Sequence, residues 1–109
     1  MSTDKIMSAQ STEFVPVLIE YTVAGLPADP VGAGYAGSLA FPVVDGVPTT
    51  WFAAEWEQAN GQAWLVVLVG PDTGQVVLDI GTYDVWWSLD GGTEHPVAKA
   101  AGRLIITQP

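Results

Sequence analysis

Between Asp79 and Leu89 the chain runs Asp-Ile-Gly-Thr-Tyr-Asp-Val-Trp-Trp-Ser-Leu, and the alternation that begins at Tyr83 constrains the fold more than any other feature. Tyr83, Val85, Trp87 and Leu89 fall on one side of an extended strand, and Asp84, Trp86, Ser88 and Asp90 on the other. The first set reads as core and the second as solvent-facing, with Trp86 standing out among polar neighbours. Upstream, Gly81 allows a sharp backbone turn, and the Tyr83 phenol is placed to hydrogen-bond back to the chain before it. No segment carries a helical period, so the chain is expected to be all-β.

Other extended runs follow from the same period. Residues 14–23 put Val15, Val17, Ile19, Tyr21 and Val23 on one face, with Pro16 marking a sheet edge or a strand start. Gly25-Leu26-Pro27-Ala28-Asp29-Pro30 is turn chemistry. Residues 35–44 turn Leu39, Phe41 and Val43 inward and close at Asp45-Gly46. In 49–58, Phe52, Ala54 and Trp56 oppose Trp51, Ala53, Glu55 and Glu57. Asn60-Gly61 is a strong hairpin signal, and the following run, 62–69, is apolar on both faces. Because a small antiparallel sheet normally leaves one face to water, that run needs a covering loop or a second chain. Residues 75–79, 83–89 and 98–108 complete seven strands at near-regular spacing. The expected architecture is a seven-stranded antiparallel β-sandwich, immunoglobulin-like in outline but without a cysteine pair. It occupies residues 14–109 as a single domain, behind a flexible polar N-terminal arm over residues 1–13 in which Ile6 and Met7 are the apolar grip.

Charge and composition narrow the function. Twelve acidic residues face three basic ones, for a net charge of −9, which repels phosphates and anionic lipid heads; neither nucleic acid nor membrane is an expected partner. Charged residues are only 14% of the chain against 49% hydrophobic, where about 25% charged is usual. So spare a charged surface suggests burial against other subunits. Without cysteine, disulfides, thiolate metal sites and cysteine nucleophiles are excluded. The N-terminus shows no apolar secretory core, and no run is long enough for a membrane-spanning helix, so synthesis in the cytoplasm is expected.

The candidate chemistry is thin. Gly32-Ala33-Gly34-Tyr35-Ala36-Gly37 fits a dinucleotide-binding pattern, but a strand pattern follows where that motif needs a helix, so it reads as a loop. His95 stands alone in a polar loop without triad or metal partners at suitable spacing. Glu55 and Glu57 share one strand face rather than facing each other across a cleft, and read as solvated. Asp90 and Glu94 around Gly91-Gly92 miss the EF-hand spacing. No catalytic residue, metal or cofactor is expected. The five tryptophans remain: alternation points Trp56, Trp64 and Trp87 inward and leaves Trp51 and Trp86 outside. An indole brings on the order of 150–250 Å² of area, which favours being covered. Cross-strand stacking, a subunit interface and a sugar platform are the three ways to cover it. The candidate interface residues are Trp51, Trp86, Glu55 and Ile105, with Ile6 and Met7 from the arm.

Thr49-Thr50-Trp51-Phe52-Ala53-Ala54-Glu55-Trp56-Glu57, Trp64 to Pro71, Gly81 to Trp87, Glu94-His95-Pro96-Val97 and Gly102 to Thr107 together resemble small virion structural proteins of tailed phages that infect actinobacteria. The resemblance implies a non-enzymatic virion part, with no catalytic residue to carry over. The first expectation is a capsid decoration (auxiliary head) protein on the capsid surface, binding the major capsid protein, with contact to copies of itself at a symmetry axis as a further option. A head–tail connector, tail terminator or tail-tube component is the second. A carbohydrate-binding module built on Trp51 and Trp86 is the third.

Overall fold

The computed structural model describes residues 4–19, 22–23, 26–27, 31, 34–90 and 95–108. Its elements are β1 (Lys5–Ser8), β2 (Glu13–Ile19), β3 (Thr22–Val23), β4 (Leu26–Pro27), β5 (Ala36–Ala40), β6 (Phe52–Ala59), β7 (Gln62–Val69), β8 (Gly81–Asp90) and β9 (Val97–Thr107), with no helix among the described residues. Seven of them form one mixed sheet in the order β1-β9-β8-β5-β6-β7-β2, while β3 and β4 make a separate small hairpin. The sheet curls nearly into a barrel. Its two end strands, β1 and β2, are consecutive in the chain and do not pair with each other; Lys5 Nζ lies 3.2 Å from Glu13 Oε1 between them.

Alternation explains most of this. Val15, Val17 and Ile19 of β2, Leu65, Val67 and Val69 of β7, Val85 and Leu89 of β8, and Leu104 and Ile106 of β9 all enter one buried core. The Asn60-Gly61 signal is realised as the β6–β7 turn, both residues having positive φ (53° and 74°), which suits the twist of a two-residue hairpin. The Tyr83 hydroxyl donates to the Asp79 carbonyl at 2.8 Å, the backward hydrogen bond expected from the local pattern. Burial, with the Asp79 charge nearby, raises the phenol's pKa, so it remains a donor.

The structure departs from expectation in five places. First, the sheet is mixed, not antiparallel: Lys5–Ser8, assigned to the flexible arm, is strand β1 and pairs in parallel with β9, Met7 opposite Ile106. The pairing joins residues about a hundred positions apart and is held by Arg103 N–H to Asp4 Oδ1 (2.9 Å) and Thr107 Oγ1 to the Met7 carbonyl (3.3 Å). Local periodicity carries no sign of such a contact. Second, Met7 is a core residue at 4% exposure, not a grip for a neighbour.

Third, residues 75–79 form no strand. The Val76 amide donates to the Leu68 carbonyl and the Val76 carbonyl accepts from Gly70 N–H, leaving Val76 in a single parallel bridge to Val69. Fourth, the run at 35–44 ends as a strand at Ala40: Gly46 N–H donates to the Val43 carbonyl at 2.7 Å in a tight turn, and Val43 is 65% exposed instead of inward. Fifth, β7 presents Leu65, Val67 and Val69 to the core, so Trp64, Val66 and Leu68 face out. The β2 register decides this, pairing Val17 with Leu65 and Val15 with Val67. Tyr21, Gly25, Ala28, Asp29 and Pro30 lie outside the described residues.

Candidate interaction surface

The outer face of β2, β7 and β6 is the site that local sequence and register build together. Every second residue of β2 that points away from the core is apolar: Phe14, Pro16 and Leu18. They lie opposite Leu68, Val66 and Trp64 of β7. On the far side of β7, Glu55 pairs with Val66 and Glu57 with Trp64. The result is three cross-strand rows: Phe14–Leu68, Pro16–Val66–Glu55 and Leu18–Trp64–Glu57. Two rows end on a carboxylate, and all three are apolar over β2 and β7. Phe14 is 58% exposed. A large aromatic at that exposure within a sheet is unusual unless something else covers it.

Two concavities indent this face. One, of about 600 Å³, is bounded by Phe14, Trp51, Glu55, Leu68 and the Gln75–Val76 loop segment. The other, of about 320 Å³, lies toward the β6–β7 turn between Pro16, Glu57 and Trp64. The loop covers only one end: Gln75 Oε1 accepts from Asp72 N–H at 3.3 Å and lies 3.2 Å from Thr12 Oγ1.

The expected interface residues are thereby separated. Trp51 and Glu55 both line the larger concavity, Trp51 at 38% exposure. Ile6, exposed, and Ile105, half-buried, pair across β1 and β9 in a different part of the sheet. Trp86 is half-buried between Ala40 of β5 and Lys99 of β9. Its neighbour Ala40 is fully buried although it follows the inward Leu39, so the chain itself roofs this part of the surface. The Trp86 indole N–H is buried and finds no acceptor among the described residues. Trp64, expected in the core, is instead central to the apolar face. Trp56 packs against the core with its indole donating to the Tyr35 carbonyl at 2.7 Å.

A second cluster went unseen in the sequence. Asp84, outward by alternation, is 1% exposed. Its carboxylate accepts from Asp45 N–H (2.9 Å) and from Arg103 Nε (3.3 Å), with Lys99 Nζ at 3.4 Å. Between Asp84 and Trp86 the β8–β9 register shifts, Arg103 pairing with the former and Lys99 with the latter, which brings both cations onto one carboxylate. Burial pushes the Asp84 pKa up, but the Asp45 hydrogen bond and the two cations outweigh it and hold the group below 3.8. The cluster pins the 42–46 turn to β8, and Asp84 N–H also donates to the Pro42 carbonyl.

The remaining candidates are quickly placed. His95 is exposed, its Nδ1 3.5 Å from Asp90 Oδ1. Of the glycine-rich segment, Gly32 and Ala33 lie outside the described residues, Gly34 has positive φ, and strand β5 follows. Glu94 also lies outside them, and no group of three or more potential metal ligands occurs among the described residues. No helix among them is long and apolar enough to cross a membrane. Compared with known protein families, curated proteins and solved structures, the chain matches none.

Proposed function

We propose that this chain is a non-enzymatic virion structural protein, a capsid decoration protein that binds the major capsid protein shell and stabilises it. The observation that carries the reading is the β2–β7–β6 face: a continuous apolar surface with two concavities, on which Phe14 and Trp51 are exposed, Pro16, Leu18, Trp64 and Leu68 half-buried and Val66 buried among the described residues. A domain with few charges and an open apolar sheet face gains most by docking it. Binding only the assembled shell then stabilises that state by mass action. The resemblance to actinobacterial phage virion proteins supplies the partner. The immunoglobulin-like sandwich is the finer fold reading that goes with it, since β6 changes partners midway, pairing with β5 through Phe52–Ala54 and with β7 through Glu55–Ala59.

A tail-tube or connector role is favoured by a different observation. Lys5 pairs with Glu13, and Lys99 and Arg103 with Asp84. All three basic residues of the chain are thus engaged internally, leaving the outer surface acidic, as suits a conduit that must not hold DNA. A sugar platform loses support, because it needs Trp86 open beside Trp51. Quantitative mass spectrometry of purified particles separates the two virion readings. Decoration requires copies on the order of hundreds per particle, distributed with shell symmetry; a ring's worth of copies at one vertex would assign the chain to the tail or connector.

A further inference from the structure

We infer that the β2–β7–β6 face is made for a partner protein segment that combines apolar side chains with Lys or Arg, and not for a second copy of this chain. The inference rests on the assembly reading and specifies the chemistry of its contact. Three features of the face argue for it.

The first is the one-sided charge. Glu55 and Glu57 flank the apolar rows, and no basic residue lines either concavity. They lie two strand positions apart on one face, their Cα atoms about 7 Å from each other. The second is the absence of any spare cation to balance them in a self-pair. A symmetric contact between two copies repeats the same patch on both sides, so it would bring both carboxylates into the contact twice over. Lys5, Lys99 and Arg103 are engaged elsewhere with Glu13 and Asp84, and four carboxylates with no cation of this chain to meet them select against that pairing.

The third is the edge. β2 is the outermost strand of its side of the sheet and carries Pro16 at its centre, opposite Val66. A proline in such a strand has its missing N–H on the free edge, so an added strand would lose a ladder hydrogen bond there. The occupant is therefore expected to lie across the face, its apolar side chains filling the concavities beside Phe14 and Trp64 and its cations meeting Glu55 and Glu57.

The test uses the full chain and a short synthetic peptide of alternating lysine and valine, with a glutamate–valine peptide as its opposite. Binding is followed by tryptophan fluorescence and by NMR shift mapping. The lysine peptide is expected to shift resonances of Phe14, Trp51, Trp64 and Leu68, and the glutamate peptide to leave them unmoved. The double variant Glu55→Gln/Glu57→Gln should weaken binding about fivefold or more. Asp45→Asn/Asp79→Asn, which removes equal charge from other exposed positions, should change it by less than about twofold. Equal weakening by both variants, shifts scattered over the acidic surface, binding of the glutamate peptide, or concentration-dependent dimerisation through this face would each overturn the inference. Absence of the chain from purified particles would overturn the assembly reading without touching the peptide result, so the two failures are distinguishable.

Discussion

Truncating Leu65 to alanine is expected to lower the unfolding free energy by about 2–5 kcal/mol, the range for emptying a fully buried leucine site. Leu65 is 0% exposed at the centre of β7, with Val17 of β2 and Trp56 of β6 as its strand neighbours. Its side chain does more than fill a layer. It crosses the interior to β5, where Gly37 leaves no room for a side chain: a Cβ built on Gly37 would overlap the Leu65 methyls. In the native chain Gly37→Ala should therefore cost roughly 1–3 kcal/mol by overpacking. Once Leu65 is alanine the space is open, and the same change at Gly37 should be nearly neutral. The double-mutant cycle, read by urea unfolding, should show a coupling of about 1 kcal/mol or more. Additivity within about 0.5 kcal/mol would mean that β5 and β7 do not face each other, and the curled sheet described above would be wrong.

The second large effect is expected at Asp84. Its removal leaves the Asp45 N–H without an acceptor and takes a buried anion from between two cations. Lys99 and Arg103 are 44% and 47% exposed on their side chains, so each can turn to water and neither charge is stranded. That places Asp84→Ala at about 2–3 kcal/mol, under the 3–5 expected when an ion is left buried alone. Asp84→Asn keeps the shape and one acceptor and should cost about 1 kcal/mol. The pH dependence has a definite sign. Because the folded carboxyl is held below 3.8, its contribution is complete above that value and disappears as pH falls through the lower folded value. The stability gap between the native chain and Asp84→Asn should accordingly be constant near neutrality and close below pH 3.8. A gap that persists unchanged into strong acid would show that the charge on Asp84 stabilises nothing.

How much of this was legible in the sequence depends on how local each feature is. The Asn60-Gly61 hairpin, the Tyr83-to-Asp79 hydrogen bond and the inward faces of β2, β8 and β9 follow from turn chemistry and period 2, and all are present. What failed was non-local. The Met7–Ile106 pairing unites the two ends of the chain, and no window of sequence contains both. Asp84 follows the alternation outward, and only the β8–β9 register shift and the returning 42–46 turn bury it. Trp64 was misassigned because β7 is apolar at both parities, so alternation gives no side; the register with β2 is what chooses.

The apolar face itself did leave a signal. Phe14, Pro16 and Leu18 are as apolar as the Val15, Val17 and Ile19 they alternate with, so β2 shares the two-sided character noticed in β7. Two such runs in one small sheet already imply an outer surface that needs a cover. Trp86 stands out among its polar neighbours in the sequence but sits against Ala40 and Lys99 in the folded chain.

Hydroxyl-radical footprinting measures directly whether this outer face is hidden in the proposed assembly. The free domain and the domain on purified particles would be oxidised in parallel, with Val43 and Val47, exposed at 65% and 78% and lining neither concavity, as internal standards. Phe14, Leu18, Trp64 and Leu68 are expected to lose reactivity on the particle while the standards keep theirs. Equal reactivity of Phe14 and Trp64 in both states would contradict that expectation.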